Sequence, residues 1–415
     1  MNLKSTEAAK EDSRILYSLM LIIIFVSMGQ SVYWQTMPII GREFGFSEME
    51  INTVVSISAA MFIIFTPFWG RLSDRIGRKS VLLVGLTGYV LSNIIFLYSA
   101  SIGLLGYVSG FFLLLILLIS RIINSAVGAA SRPATGAYVA DVTSIEERSS
   151  GMGKFGAANN IGTILGPVLV GSIIGINIFN SKIEEFSLLT PLIVMSFLMV
   201  VAIIFVLLFL PNKKSINSDE SGLNRPPLDK NLKFLLSIGM IIFTAFAIVQ
   251  SVTAYYVQDR FDLRLDETAR STALLLGTMA LTAIVAQLTF VQKFKGSPLD
   301  LIKYSIPLFI LSCIIIVFSP HTSITYVHFG MAIMGLAMGL ASPGYTASAS
   351  LNADPNNQGA AVGVAMVAPG LGFTLGPFLS GLLYSISIDL PFLFILPLFL
   401  VILFILPKLN RITTN

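Results

Sequence analysis

The stretch IGTILGPVLVG (residues 161–171) returns 210 positions later as LGFTLGPFLSG (residues 371–381). The same offset relates Pro133 to Pro343, so the correspondence extends well upstream of the quoted stretch without a gap. One constant offset over such a length predicts a chain built from two similar halves. The residues that recur are Gly162, Leu165, Gly166, Pro167, Leu169 and Gly171, as Gly372, Leu375, Gly376, Pro377, Leu379 and Gly381.

The composition around this repeat is that of a membrane protein. Of the 415 residues, 55% are hydrophobic and only 12% are charged, with a mean hydropathy of +0.84. A soluble domain carries roughly 25% charged residues, so most of this surface faces something other than water. The net charge of +4 does not indicate nucleic-acid binding, because the basic residues are scattered among short loops.

Twelve apolar runs follow one another along the chain. Each is long enough for a helix that crosses the bilayer, which takes about 20 residues, whereas the strands of a membrane barrel would alternate in polarity. The sequence therefore predicts an all-α integral membrane protein with 12 transmembrane helices in two six-helix bundles. The runs lie near 16–40, 50–70, 80–100, 106–138, 152–177, 189–210, 234–258, 270–291, 301–319, 324–350, 358–385 and 388–407.

A polar segment, PNKKSINSDESGLNRPPLDKN at residues 211–231, separates six runs from the next six and is typical of a linker. With both termini inside, 19 Lys and Arg residues fall in cytoplasmic segments and 5 outside. The positive-inside rule therefore predicts cytoplasmic termini. The predicted organisation is an N-terminal tail (1–15), a first bundle (16–210), the linker (211–231), a second bundle (232–408) and a C-terminal tail (409–415).

The loop after the second run reads GRLSDRIGRKS at residues 70–80. Asp74 lies there among Arg71, Arg75, Arg78 and Lys79, and an acid surrounded by cations at helix ends can latch neighbouring helices in one state and release them in another. The alternative is a solvated basic loop that only sets the topology.

This loop resembles, position for position, the signature G-x-L-[AS]-D-R-x-G-R-[KR]-x of the major facilitator superfamily. The resemblance covers the whole chain, since the 12 runs, the central loop and the repeated halves also match that fold. It implies a transporter rather than an enzyme, working by alternating access, with the latch reading favoured for Asp74, Arg75 and Arg78.

Residues 162–171 resemble the antiporter signature G-x-x-x-G-P-x-x-G-G of the same superfamily, although Val170 replaces one closing glycine. Glycines four apart make a groove for another helix, and Pro167 bends its own helix. The resemblance implies that Gly162, Gly166 and Pro167, with their repeats Gly376 and Pro377, seal the halves against leak. The alternative is ordinary packing of small residues.

The stretch YVADVTSIEERSSGMGKFG (138–156) resembles the tetracycline-efflux and drug:proton antiporter branch.

Arg121 lies deep in the fourth run, where an arginine costs at least a few kcal/mol without a partner or a wet cavity. It partly fits the family pattern R-x-x-x-G-x-G, which implies proton coupling or anion pairing. A structural arginine bonded to helix carbonyls is the alternative. Arg132 is nearer the cytoplasmic end, where its side chain could simply reach the interface.

Family analogy places the first, fourth, seventh and tenth helices around a central cavity. The polar side chains in these runs are expected to face inward, because an unpaired polar group in lipid is costly. They are predicted to bind substrate, with interhelix hydrogen bonding as the alternative: Gln30, Trp34, Gln35, Arg121, Asn124, Gln250, Tyr255 and Tyr256.

No carboxylate falls in the middle of a predicted span, and Asp141, near the inner end of the fourth, is the best candidate for a coupling acid. Proton exchange is therefore implied by the resemblance alone. The predicted function is efflux of a drug-like or amphiphilic small molecule in exchange for protons. An importer or facilitator of an organic solute, and a non-transporting receptor or scaffold, are the alternatives. The sequence predicts a monomer in an inner membrane, without cofactor or metal.

Overall fold

The computed structural model describes residues 3–143, 148–174, 176, 184–211, 230–351 and 367–413. The predicted linker lies outside these residues except at its two ends. The described part is helical, without strands, and short 3-10 turns occur at Glu184–Leu189 and Val291–Lys293. The α-helices are α1 (Leu3–Glu43), α2 (Glu48–Ile76), α3 (Arg78–Leu104), α4 (Gly110–Gly128), α5 (Ser131–Val142), α6 (Arg148–Ile173), α7 (Thr190–Phe209), α8 (Lys230–Phe261), α9 (Leu265–Thr289), α10 (Pro298–Val317), α11 (Thr325–Leu351), α12 (Val367–Tyr384) and α13 (Leu390–Thr413).

These helices account for twelve spans in the described part of the chain, because α4 and α5 follow each other as one. Ten spans are long and apolar enough to cross a bilayer by length and composition. The other two are α6 and α13, of which α13 contains the apolar segment Leu390–Phe404. The predicted all-α membrane fold of 12 helices is confirmed.

Residue contacts divide the chain into two compact units. The first unit is Met1–Phe46 with Ile57–Ser221, and the second is Ser47–Ser56 with Gly222–Asn415. The opening segment of α2 is therefore grouped with the second unit, whereas the predicted bundles divide the chain only at the linker. The tail and bundle boundaries given above stay predictions.

The fourth span is broken near its middle, which the sequence did not predict. Helix α4 ends at Gly128 and α5 begins at Ser131. Pro133 has no N–H to donate to the carbonyl of Ala129, and its ring would clash with that carbonyl in a continuous helix. The break lies between Arg121 and Arg132, so each arginine is carried by its own helix.

The repeated Gly-Pro stretches pack in the same way in the two units. In the first unit, Gly166 lies against α1, where a Cβ would come within 2.6 Å of the Ser31 Cβ. In the second unit, Gly376 lies against α8, where a Cβ would come within 2.5 Å of the Ala247 Cβ. Each glycine therefore lets two helix backbones approach closely.

Candidate functional site

Arg121 is buried inside the first unit against aromatic rings. Its side chain leaves α4 and places the guanidinium carbon 3.1 Å from the centre of the Tyr33 ring of α1. Phe96 of α3 packs edge-on against the same ring at 5.7 Å. Arg121 is 7% exposed, and its Nε has no hydrogen-bond partner among the described residues. A desolvated cation–π contact contributes about 2 kcal/mol or more, so the ring partly replaces the missing counter-ion.

Arg132, on α5, makes a separate contact with α1. Its Nη2 donates a hydrogen bond of 3.2 Å to Oε1 of Gln30, and its guanidinium lies 5.8 Å from the Phe62 ring of α2. All three side chains are partly exposed. The structure thus brings Gln30, predicted to bind substrate, together with an arginine whose side chain, from the sequence, could simply have reached the membrane interface. No local pattern signalled this contact, because the helix break between Arg121 and Arg132 interrupts the helical spacing of the fourth span.

The other predicted side chains of the first unit do not join one cluster. Asn124 donates a hydrogen bond of 2.8 Å from Nδ2 to the Ser92 hydroxyl of α3, which is the interhelix alternative. Gln35 is buried, and both atoms of its amide lack a hydrogen-bond partner among the described residues. Trp34 is partly exposed on α1.

In the second unit, two of the three predicted side chains on α8 are fully buried. The Tyr256 hydroxyl donates a hydrogen bond of 2.8 Å to the carbonyl of Ile316, and its ring packs edge-on against Phe392 at 4.9 Å. Tyr255 packs against Tyr384 at 5.7 Å, while Gln250 is partly exposed. Both tyrosines therefore pack against neighbouring helices. Of the three predicted side chains on α8, only Gln250 is partly exposed.

The loop between α2 and α3 forms an ion-pair network with the end of α5. Arg78 Nε donates a hydrogen bond of 2.9 Å to Oδ2 of Asp141. Its Nη1 donates to the Ser73 hydroxyl at 2.7 Å and also contacts the Asp74 carboxylate. The Arg78 side chain is 6% exposed, whereas that of Asp74 is 49% exposed. One buried guanidinium therefore holds two carboxylates that belong to different helices.

Gly77 and Arg75 complete the description of this loop. Gly77 has a φ of 99°, a conformation that side chains rarely adopt, and it lets α3 begin directly after α2. That sharp reversal is what turns Arg78 toward Asp74 and Asp141. Arg75 is exposed and takes no part in the network.

The Gly-Pro groove of α6 is filled by α1. A Cβ on Gly162 would collide with the Ile24 carbonyl, and one on Gly166 would collide with Ser31. The Ser31 hydroxyl donates a hydrogen bond of 2.8 Å to the carbonyl of Thr163. The packing alternative thus describes what Gly162 and Gly166 do inside the first unit. The proposed seal against leak stays a prediction.

An ion pair at the far end of α8 was missed by sequence reasoning. Arg260 reaches the Asp389 carboxylate at 3.4 Å and donates a hydrogen bond of 2.6 Å to the carbonyl of Ser319. Nearby, the Tyr384 hydroxyl donates to Oδ2 of Asp259 at 2.6 Å. These contacts join three loop ends of the second unit, and nothing in the local sequence around Asp389 marks it as a partner of α8.

Chemically, the first unit offers two guanidinium groups at membrane depth and an acid–base network at one helix end. Neither Arg121 nor Arg132 has a carboxylate partner in the described part of the chain. Nor do the described His, Cys, Asp and Glu residues gather in groups of three or more that could hold a metal ion.

The family model described as Major Facilitator Superfamily matches residues 19–368 and 300–411. Multidrug resistance protein 2 of Bacillus subtilis (strain 168) is 28% identical over 397 residues, which cover 92% of each sequence. Tetracycline resistance protein, class H, of Pasteurella multocida is 27% identical over 386 residues, which cover 89% of each.

Solved structures agree on the fold. The crystal structure of a bacterial homolog to the human lysosomal transporter Spinster, in an inward-facing and occupied conformation, superposes with a TM-score of 0.76. It covers 96% of this chain and 97% of its own, at 13% sequence identity. With a family match over nearly its whole length and a duplicated all-helical fold, the chain belongs to the Major Facilitator Superfamily and is a multi-pass membrane transporter, not an enzyme.

Proposed function

We propose that the protein is a secondary active exporter of a drug-like or amphiphilic small molecule, which it exchanges for protons by alternating access. The observation that carries this proposal is the similarity over about nine tenths of the chain to proteins named for multidrug and tetracycline resistance. Removal of the compound from the cell is the direct way in which a membrane transporter confers resistance.

The network around Arg78 supports a mechanism with two states. Its cation binds Asp74 at the end of α2 and Asp141 at the end of α5, so both acids are held in the present arrangement. Protonation of either carboxylate removes its negative charge and weakens that contact. Asp141 is therefore the proposed coupling acid, and Asp74, Arg75 and Arg78 form the proposed latch.

The other residues have proposed roles in helix packing and in substrate binding. Gly162, Gly166 and Pro167, with Gly376 and Pro377, hold helices close enough to move as rigid pairs and to limit leak. Arg121 and Gln30 offer polar groups to the substrate within the first unit, while Gln250 does so within the second. The protein is proposed to act as a monomer in the inner membrane, with both termini in the cytoplasm.

One observation favours the alternative of an importer or facilitator for an organic solute. In the described spans every carboxylate lies near a helix end, as Asp74 and Asp141 do, and none lies at mid-depth. A facilitator needs no coupling acid inside the bilayer, so it fits this distribution without further assumption.

Inverted membrane vesicles with an imposed pH gradient separate these possibilities. An exporter that exchanges protons takes up substrate when the vesicle interior is acidic, and substrate addition releases protons from the interior. The Asp141→Asn variant should lose the response to pH while the protein still inserts. Substrate flux that ignores the pH gradient would favour the facilitator, and no flux for any compound of a broad panel would favour a receptor or scaffold.

A further inference from the structure

Arg132 is a membrane-embedded cation for which the proposed latch has no role. It donates a hydrogen bond of 3.2 Å to Gln30, which lies near the middle of the apolar section of α1. That section begins after Arg14 and continues to Ile40. The contact therefore places the guanidinium deep in the span, well away from the cytoplasmic interface that the side chain could otherwise reach.

The surroundings of Arg132 are only partly closed. Arg132, Gln30 and Phe62 each keep part of their surface exposed, although they sit at membrane depth. A charged group exposed to hydrocarbon costs several kcal/mol, so the space beside this guanidinium holds water or a polar ligand instead of lipid. Gln30 supplies an acceptor that fixes one Nη atom and leaves other donors of the guanidinium available.

The charge of Arg132 is not neutralised. In the part of the chain that the structure describes, it has no carboxylate partner, and its Nε has no hydrogen-bond partner. Phe62 lies 5.8 Å from the guanidinium carbon, within range of a cation–π contact. The site thus combines an uncompensated cation with an adjacent aromatic face.

We propose that Arg132 determines specificity by binding an anionic group of the substrate, with Gln30 orienting the guanidinium and Phe62 packing against a flat apolar part. The preferred substrate class is then amphiphilic aromatic carboxylates, not cationic dyes. This inference rests on the proposed function in that it names the substrate class of the same transporter. The planar fork of arginine matches a carboxylate in two parallel hydrogen bonds, and a lysine cannot reproduce that geometry.

Binding to the purified full-length protein tests the inference independently of direction and coupling. The probes are 1-naphthylacetate and 1-naphthylacetamide, which share a ring system and differ in charge. Isothermal titration calorimetry in detergent gives the ratio of their affinities for the wild type, Arg132→Gln, Arg132→Lys and a control, Arg270→Gln. Arg270 is an exposed arginine on α9, so the control removes one positive charge away from the site.

The wild type should bind the anion about tenfold or more tightly than the amide, because charge-assisted hydrogen bonds contribute roughly 1.5–3 kcal/mol. Arg132→Gln should abolish this preference, Arg132→Lys should keep part of it, and the control should keep all of it. Equal binding of both probes by the wild type, failure to bind the anion, or an unchanged ratio in Arg132→Gln and Arg132→Lys overturns the inference. Anion binding without pH-dependent flux in vesicles would instead overturn proton-coupled export and leave the inference standing.

Discussion

The two units have the same helix packing but different charge. Their Gly-Pro stretches contact α1 and α8 alike, with Gly166 and Gly376 in matching places. At the same offset of 210 residues, Arg121 corresponds to Met331 and Arg132 to Ser342. Met331 is fully buried in α11, so an apolar side chain fills the place that a guanidinium takes in the first unit. The repeat therefore carries the packing, whereas Arg121 and Arg132 have no basic counterpart at the matching positions of the second unit.

The loop between the second and third helices also differs between the two units in the kind of contact it makes. In the first unit this loop holds the ion pairs of Arg78. In the second unit Phe290 stacks on Phe294 at 5.6 Å, and Phe294 meets Tyr304 edge-on at 6.1 Å. An aromatic cluster keeps its contacts whatever the protonation state, whereas a carboxylate network responds to it. The proposed latch therefore depends on the loop of the first unit.

The largest effect is expected from Arg78→Met, which removes the cation at the centre of this ion-pair network. It leaves Asp141, only 20% exposed, without its cation, and breaking such a pair costs about 3–5 kcal/mol. We expect lower thermal stability in detergent and a loss of flux in proteoliposomes. The control is Lys295→Met, an exposed residue of the second unit's loop, which should change neither quantity measurably. Equal effects of the two substitutions would remove the distinction between the loops.

Arg121→Met places the second unit's residue in the first unit and should abolish flux while the protein stays folded. Replacing a buried charge by an apolar side chain of similar size is often neutral for stability or stabilising. The measurement pairs flux in proteoliposomes with the unfolding temperature in detergent, and Arg121→Lys tests whether charge alone suffices. Flux at the wild-type level in Arg121→Met would mean that the guanidinium only supports packing around Tyr33.

Features of the fold were predictable from the sequence when the residues that form them lie close together in the chain or follow one repeat. The duplication, the twelve spans and the loop at 70–80 were predictable, because each is written in a local pattern or in one constant offset. The partners of long side chains were not. Asp141 meets Arg78 from 63 positions away, and Arg132 meets Gln30 from 102 positions away. Such pairs depend on the rotation of each helix about its axis and on how far one helix slides along another.

Polar residues on α8 illustrate the same limit. Tyr255 and Tyr256 were predicted to bind substrate from their position in the seventh run. A hydroxyl group on a helix can instead form a hydrogen bond with a neighbouring helix, and the sequence does not distinguish the two roles. The carbonyl of Ile316 accepts such a hydrogen bond from Tyr256. The break before α5 could have been predicted from Pro133. The apolar run continues across this position, so hydropathy alone predicts one uninterrupted helix.

The shared packing itself is tested by adding one methyl group at matching places. In Gly166→Ala the new Cβ lies 3.1 Å from the carbonyl oxygen of Met28, and in Gly376→Ala it lies 2.9 Å from the carbonyl oxygen of Thr244. Overpacking of this kind costs about 1–3 kcal/mol, so both variants should unfold at lower temperatures and by similar amounts.

Gly156→Ala and Gly277→Ala are the matched controls, since a Cβ at these helical positions would meet nothing within 4 Å. They should leave the unfolding temperature unchanged or raise it, because alanine is favoured over glycine in a helix by roughly 0.8–1 kcal/mol. A loss of stability at Gly166 without one at Gly376 would mean that only the first unit depends on this groove.

The smallest effect is expected from Tyr33→Phe, compared with Tyr256→Phe in the other unit. The Tyr33 hydroxyl is buried and has no hydrogen-bond partner among the described residues, whereas the Tyr256 hydroxyl donates to Ile316. Removing an unsatisfied hydroxyl should change the free energy of unfolding by less than about 1 kcal/mol, and removing a satisfied one should lower it by about 0.5–1.5 kcal/mol. The ring that faces Arg121 is kept in Tyr33→Phe, so flux should stay within about twofold of wild type. If Tyr33→Phe weakens substrate binding while its unfolding temperature is unchanged, the hydroxyl finds its partner in the substrate, and Arg121 and Tyr33 form one binding site instead of a buried pair.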